Sequence, residues 1–135
     1  MQLHHVGCAV ASIESSIQSY TTGLQFSRVS DVVEIASQQV RVCFIETAPS
    51  VYIELVEGLS DDAPVSSFLK RRQHYYHVCY STPDVRQSVQ HLEANGFRLL
   101  SVFASEAFNG ADCAFLLNPE MALVELCTHG SFTLL

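Results

Sequence analysis

The sequence Leu3-His4-His5-Val6 near the start of the chain recurs as Tyr75-Tyr76-His77-Val78, so the second histidine follows the first by 77 − 5 = 72 positions. Tyr52-Ile53-Glu54-Leu55 recurs as Leu123-Val124-Glu125-Leu126, with its glutamate 125 − 54 = 71 positions later. This nearly constant spacing indicates a duplicated module. The offset of 72 also relates the apolar faces of two predicted helices: Ile13, Ile17 and Tyr20 in the first, and Val85, Val89 and Leu92 in the second.

Each copy predicts the element order βαβββ, and the fold class is therefore α+β. The helix of the first copy is capped by Ser12, and that of the second by Thr82 with Pro83 at its first position. Strands are predicted near 3–9, 26–33, 39–46 and 51–56, and again near 76–81, 98–105, 112–117 and 122–127. We predict a single domain over 1–135, with modules at about 1–58 and 74–130 and a linker at about 59–73 that contains a short helix.

The repeated histidines and glutamates differ from the apolar residues that a duplicated core ordinarily repeats. A carboxylate buried alone in apolar surroundings costs several kcal/mol. Two neutral imidazoles and two carboxylates on one divalent cation would remove that cost, because two negative charges balance the ion. A single strand histidine or acid is usually structural, but here both pairs recur, at spacings of 54 − 5 = 49 and 125 − 77 = 48. We therefore predict one metal ion (Co, Zn, Ni, Mn or Fe) held by His5, Glu54, His77 and Glu125.

The composition is that of one compact folded domain, with 135 residues of which 48% are apolar and 16% charged. The formal net charge is −7, and the only dense basic run is Lys70-Arg71-Arg72, which argues against nucleic acid or an anionic membrane as a partner. Five cysteines without a C-x-x-C pair predict reduced core thiols. A cytoplasmic location is predicted, since the sequence contains neither a signal-peptide pattern nor an apolar run of 18 residues.

With these motifs in place, the chain resembles the vicinal oxygen chelate superfamily, which includes glyoxalase I, extradiol dioxygenases, fosfomycin-resistance proteins and methylmalonyl-CoA epimerase. The resemblance covers about residues 3–127, and the segments around His5, Glu54, His77 and Glu125 each match a metal-ligand position of the metal-dependent members. It implies a glyoxalase/bleomycin resistance/dioxygenase-like fold, in which two tandem βαβββ modules form an open cup-like mixed sheet. It also implies a homodimer.

A narrower resemblance is to methylmalonyl-CoA epimerases, and it rests on Glu57-Gly58-Leu59-Ser60-Asp61-Asp62-Ala63-Pro64-Val65 with Phe68-Leu69, and on Gln39-Val40-Arg41-Val42-Cys43-Phe44. This likeness implies a metal-dependent enzyme that removes a proton α to the carbonyl of an acyl thioester. A glyoxalase I-like lactoylglutathione lyase acting on a thiol adduct is the alternative among enzymes. A non-catalytic binding or resistance protein for a small molecule is the alternative of another class.

The resemblance makes Glu125 the first candidate for the catalytic base, acting both as ligand and as proton acceptor. Glu54 or Glu46 is the candidate partner on the other face of the substrate. The expected partner is thus a small molecule, such as a thioester or a thiol adduct.

Overall fold

The computed structural model describes residues 1–134. The chain divides into two compact units, which we describe separately. The first unit is built of His5–Tyr76, and the second unit of Met1–His4 together with His77–Thr133. None of the helices in the described part of the chain is long and apolar enough to cross a membrane.

The sheet of the first unit has the strand order β2-β3-β4-β1. Strand β4 lies parallel to β1, whereas β3 is antiparallel to both β2 and β4. The elements are β1 (Gln2–Ala9), which belongs to this unit from His5 onward, α1 (Ile13–Gln18), β2 (Val33–Ile35), β3 (Val40–Ala48), β4 (Val51–Gly58) and α2 (Pro64–Lys70). A π-helical turn at Ser19–Gly23 follows α1, and a 3-10 turn at Ala36–Gln38 separates β2 from β3.

Helix α1 covers one face of this sheet. The Ser12 hydroxyl caps it by accepting a hydrogen bond from the Ser15 N–H at 3.3 Å, as predicted from the sequence. The Glu57 carboxylate on β4 accepts a second bond from the Ile13 N–H at 2.8 Å and so ties the start of the helix to the sheet. The core beneath the helix consists of Cys8, Ile13, Cys43, Ile45 and Leu55. The opposite face of the sheet is left for the polar residues described below.

The second unit repeats this plan with the strand order β5-β8-β7-β6. Strand β8 is parallel to β5, and β7 is antiparallel to both β8 and β6. The elements are β5 (Tyr75–Thr82), α3 (Val85–Glu93), β6 (Arg98–Ser105), β7 (Ala111–Leu117) and β8 (Leu123–Thr128). Helix α3 covers a core of Val85, Val89, Ala114, Leu116 and Leu126. The α+β class is therefore confirmed, and each copy has the order βαβββ.

The predicted strand at 26–33 is wrong. The structure has only a single bridge between Val29 and Ile45 and the short strand β2. Phe26 and Val29 pack instead against the core beneath α1. These two residues are three positions apart and both contact that core. In a strand, residues three positions apart would point to opposite faces.

The cap of the second helix also differs from the prediction. Asp84, and not Thr82, is the N-cap, and its carboxylate accepts a hydrogen bond from the Gln87 N–H at 2.9 Å. Thr82 is still the last residue of β5, and its hydroxyl lies 2.7 Å from the Ser88 hydroxyl. A cap side chain accepts a hydrogen bond from an N–H group two or three residues further along the chain. The N–H of Gln87 lies three residues after Asp84, in the first turn of α3.

Candidate metal centre

The first unit holds a buried pair of His5 and Glu54. In the parallel pairing of β1 and β4, Glu54 stands opposite Gly7, two residues beyond His5 and therefore on the same face of the sheet. The Nε2 atom of His5 lies 3.1 Å from the Oε2 atom of Glu54. The two residues are 0% and 5% exposed. A polar pair thus occupies the face of the sheet opposite α1.

The second unit holds the equivalent pair of His77 and Glu125. Glu125 stands opposite Cys79, again two residues beyond the histidine. The Nε2 atom of His77 lies 3.0 Å from the Oε2 atom of Glu125. Their exposed fractions are 3% and 4%. The duplication seen in the sequence therefore extends to the register and the side-chain geometry of both pairs.

Each pair has an aromatic neighbour that the sequence analysis did not assign to the site. Phe44 pairs with Glu54 on the adjacent strand, and Phe115 pairs with Glu125 in the same way. The ring of Phe44 meets His5 edge to face at 5.4 Å, and that of Phe115 meets His77 at 5.5 Å. Their offset of 115 − 44 = 71 matches that of the glutamates, so the repeat itself contained the signal. These contacts restrict the orientation of each imidazole.

The chemistry of these side chains fits a divalent cation. His5, Glu54, His77 and Glu125 each offer one ligand atom, and all four residues are buried. Two carboxylates bring two negative charges into low-dielectric surroundings, where an ion of charge 2+ would balance them. Within each unit, a proton on the imidazole would also account for the short distance between nitrogen and oxygen. The buried His and Glu residues are thus a donor set that could hold a metal ion.

Cys79 lies beside the pair of the second unit. Burial raises the pKa of its thiol well above the ordinary value, and a hydrogen bond with Cys127 and the negative charge of Glu125 act in the same direction. All five cysteines are free and buried, in agreement with the predicted core thiols. At neutral pH the Cys79 thiol therefore adds no negative charge next to Glu125.

Glu46, the third predicted catalytic carboxylate, lies in the first unit on β3, where it pairs with Tyr52. Its Oε2 atom lies 2.5 Å from Nη1 of Arg28, and its Oε1 atom accepts a hydrogen bond from the Ser50 N–H at 3.2 Å. Both carboxylate oxygens of Glu46 are thus engaged. Glu46 and Glu54 share one face of the sheet, because their register partners alternate along β3 and β4.

The βαβββ repeat with a His–Glu pair in each copy can be compared with known families. The model of the Glyoxalase/Bleomycin resistance protein/Dioxygenase superfamily matches residues 4–115. The chain belongs to this superfamily. This confirms the resemblance seen in the sequence. A curated relative, the uncharacterized protein YqjC of Bacillus subtilis (strain 168), is 34% identical over 131 residues, covering 93% of this chain and 91% of the relative.

Solved structures of similar proteins share the fold. A hypothetical protein, BH1468 of Bacillus halodurans C-125, matches with a TM-score of 0.82 and 27% identity, covering 94% of this chain and 93% of that one. Methylmalonyl-CoA epimerase of Mycobacterium tuberculosis has a TM-score of 0.82 and 22% identity, with coverage of 94% and 87%. A Streptomyces coelicolor methylmalonyl-CoA epimerase variant in complex with 2-nitronate-propionyl-CoA has a TM-score of 0.81 and 22% identity. The match covers 96% of this chain and 98% of that one. At these identities the likeness to the epimerases is one of fold.

Proposed function

We propose that this protein is a divalent-metal-dependent enzyme that abstracts a proton α to a carbonyl group, with an activity most like that of methylmalonyl-CoA epimerase. The observation that carries the proposal is the recurrence of a buried His–Glu pair, with Nε2–Oε2 distances of 3.1 Å and 3.0 Å in the two units. A duplicated core gives no reason to repeat two buried carboxylates, whereas a shared metal does.

In this proposal His5, Glu54, His77 and Glu125 are the ligands of one ion. Two imidazoles and two carboxylates suit Co, Zn, Ni, Mn or Fe(II), and two negative charges neutralise the ion. The edge-to-face contacts of Phe44 and Phe115 support the proposal, because they restrict the orientation of each imidazole. Pre-oriented ligands lose less conformational entropy when an ion binds.

The proposed reaction is an epimerisation that needs no other reactant. When bound, the cation supplies positive charge for the substrate oxygen on which negative charge develops. The Glu125 carboxylate accepts the α-proton, and the electrons of the broken C–H bond move into the adjacent carbonyl group. Glu54 or Glu46, carrying a proton taken from solvent, would return it to the opposite face of the carbon, and release of the proton from Glu125 to solvent would restore the starting state. Proton and electrons are conserved throughout.

Acyl thioesters are the proposed substrates. Two of the structurally similar epimerases hold 2-nitronate-propionyl-CoA and methylmalonyl-CoA, respectively. The same proton transfer on a thiol adduct would make the protein a glyoxalase I-like lyase, so the nature of the substrate separates these two activities. We further propose that the protein acts as a homodimer in the cytoplasm.

The first experiment is elemental analysis of protein purified without chelator. We expect about one divalent ion per chain. The double variant His5→Ala, His77→Ala should lose it, whereas the matched control His91→Ala should keep it, since His91 is exposed on α3. Metal-loaded protein is then incubated in D₂O with methylmalonyl-CoA or with the hemithioacetal of methylglyoxal and glutathione. Deuterium at the α-carbon of the thioester supports the epimerase.

Two other outcomes would overturn parts of the proposal. Protein that takes up none of Co, Ni, Zn, Mn or Fe(II) contradicts the metal site and favours a non-catalytic binding or resistance protein. In that case the His–Glu pairs are structural hydrogen bonds, each with an imidazole N–H as the donor and a carboxylate oxygen as the acceptor. Turnover of the hemithioacetal alone, with normal metal content, contradicts the thioester substrate and identifies a glyoxalase.

A further inference from the structure

A cavity of about 300 Å³ opens in the first unit. It is lined by residues 25–28, which precede β2, and by residues 46–49 at the end of β3. A hydrogen bond of 3.0 Å from the Glu46 N–H to the Arg28 carbonyl oxygen joins the two segments. The volume is at the small end of the range of ligand sites, which is about 300–1,000 Å³. A group of a few heavy atoms would fill it.

The charged residues of this cavity are Arg28 and Glu46. The Arg28 side chain is 63% exposed, whereas the Glu46 side chain is only 12% exposed. Glu46 is therefore the buried member of the pair, and most of the Arg28 side chain is accessible to solvent. A guanidinium has five N–H donors, and the contact with Glu46 engages Nη1. The other donors of Arg28 belong to a largely exposed side chain that lines the cavity.

Glu46, one of the residues that line the cavity, shares a face of the sheet with His5 and Glu54. Tyr52 connects them, because it stands opposite Glu46 in one strand pairing and opposite His5 in the other. Along β3 and β4, one residue pair, Ile45 and Ile53, separates the row of Glu46 from the row of Glu54.

An ordinary surface ion pair provides the comparison. In the second unit, Nε of Arg86 lies 2.7 Å from Oδ2 of Asp112, with side chains 69% and 36% exposed. A pair of this kind contributes little to stability. The pair of Arg28 and Glu46 differs because its carboxylate is largely buried and both residues line a cavity. Arg86 is therefore a matched control for any test of Arg28.

We propose that Arg28 binds a carboxylate group of the substrate in this cavity, with Glu46 as the positioning residue that holds the guanidinium. This inference rests on the proposed function for its link to catalysis. A planar carboxylate matches the forked donors of a guanidinium. Glu46 repels any anion beside Arg28, and it repels a doubly charged phosphate about twice as strongly as a monoanion, so a carboxylate is favoured over phosphate. The substrate is accordingly a carboxylic acid as well as a carbonyl compound.

The test is a titration followed by NMR, with sodium propionate as the carboxylate probe and sodium phosphate as the comparison, both at constant ionic strength. We expect the Nε–H signal of Arg28 and the amide signals of residues 46–48 to shift with propionate until they saturate. Arg28→Gln should abolish the saturable shifts, whereas Arg86→Gln should leave them unchanged. The same titration of the His5→Ala, His77→Ala variant should give the wild-type result, so binding is measured independently of the metal and of turnover.

Shifts that rise linearly with propionate, as they would with chloride, overturn the proposal, and so do saturable shifts that survive Arg28→Gln. Shifts that saturate with phosphate but not with propionate would contradict a carboxylate ligand. They would indicate a phosphorylated ligand instead. With an active substrate, Arg28→Gln should raise KM about tenfold or more and change kcat by less than about twofold, the pattern of a lost binding contact. A loss in kcat alone contradicts the binding role.

Discussion

The imidazole of His5 reaches the carboxylate of Glu54 diagonally across the parallel pair of β1 and β4. Their atoms Nε2 and Oε2 are 3.1 Å apart, although Glu54 stands opposite Gly7 and not opposite His5. In the second unit Cys79 takes the place of Gly7, and yet the distance between His77 and Glu125 is 3.0 Å. The diagonal contact therefore depends on the register of two parallel strands and not on the residue between the partners.

Glu125→Gln tests the proposed base. The amide keeps the shape of the side chain but cannot accept the α-proton, so we expect the rate of deuterium incorporation into methylmalonyl-CoA to fall by about 10²–10⁴-fold. The matched control is Glu120→Gln, because Glu120 is exposed and precedes β8. Circular dichroism should show an unchanged fold for both variants. Full activity of Glu125→Gln would exclude this role.

Removal of the metal should lower the stability of the protein. An ion that binds only the folded chain stabilises it by about 2.7 kcal/mol when its concentration is 100 times its Kd. Dialysis against EDTA should therefore lower Tm, and stoichiometric addition of the native ion should restore it. The His5→Ala, His77→Ala variant should respond to neither treatment. An equal response of this variant would mean that EDTA acts elsewhere.

The two aromatic neighbours of the histidines should differ in their contribution to stability. Phe44 is 1% exposed, whereas Phe115 is half-buried. Phe44→Ala should cost about 3–5 kcal/mol of the free energy of unfolding, as is typical of a fully buried ring. Phe115→Ala should cost less, since its ring gives up less buried surface. Urea unfolding of both variants measures the difference, and an equal or larger cost at Phe115 would contradict it.

The cap of α3 can be tested directly. Asp84→Ala removes the acceptor of the Gln87 N–H and should cost about 1 kcal/mol of the free energy of unfolding. Asp62→Ala changes an exposed aspartate outside the helices and strands, and should alter stability by less than about 0.5 kcal/mol. Chemical denaturation compares the two variants. An equal loss in the free energy of unfolding for Asp84→Ala and Asp62→Ala would show that Asp84 is not the cap.

The buried cysteines predict a dependence on pH. Burial raises the pKa of the Cys43 thiol, so the folded chain keeps the proton that the unfolded chain releases near pH 8.5. The stabilisation is complete below the unfolded pKa and is lost as pH rises through the folded one. The free energy of unfolding should thus fall above about pH 8.5, and less steeply in Cys43→Ala. In the folded protein at pH 8, Ellman's reagent should leave this thiol unmodified; rapid modification would contradict its burial.

The duplication, the element order βαβββ and the recurrence of His5 and Glu54 as His77 and Glu125 could be predicted from the sequence. They depend on local signals, such as the period of apolar residues and the chemistry of caps. Burying two carboxylates costs free energy unless they have a partner. Their recurrence within apolar strands therefore indicated a shared partner from the sequence alone.

Only the tertiary structure decided which of the predicted elements form and which distant residues come into contact. Phe26 and Val29 have strand-forming side chains, but packing beneath α1 kept residues 26–33 from forming a strand. The contact of Phe44 with His5 and the ion pair of Arg28 with Glu46 join residues far apart in the chain. The strength of such contacts depends on strand register and burial, which arise when the whole sheet forms. A local pattern of residues does not contain them.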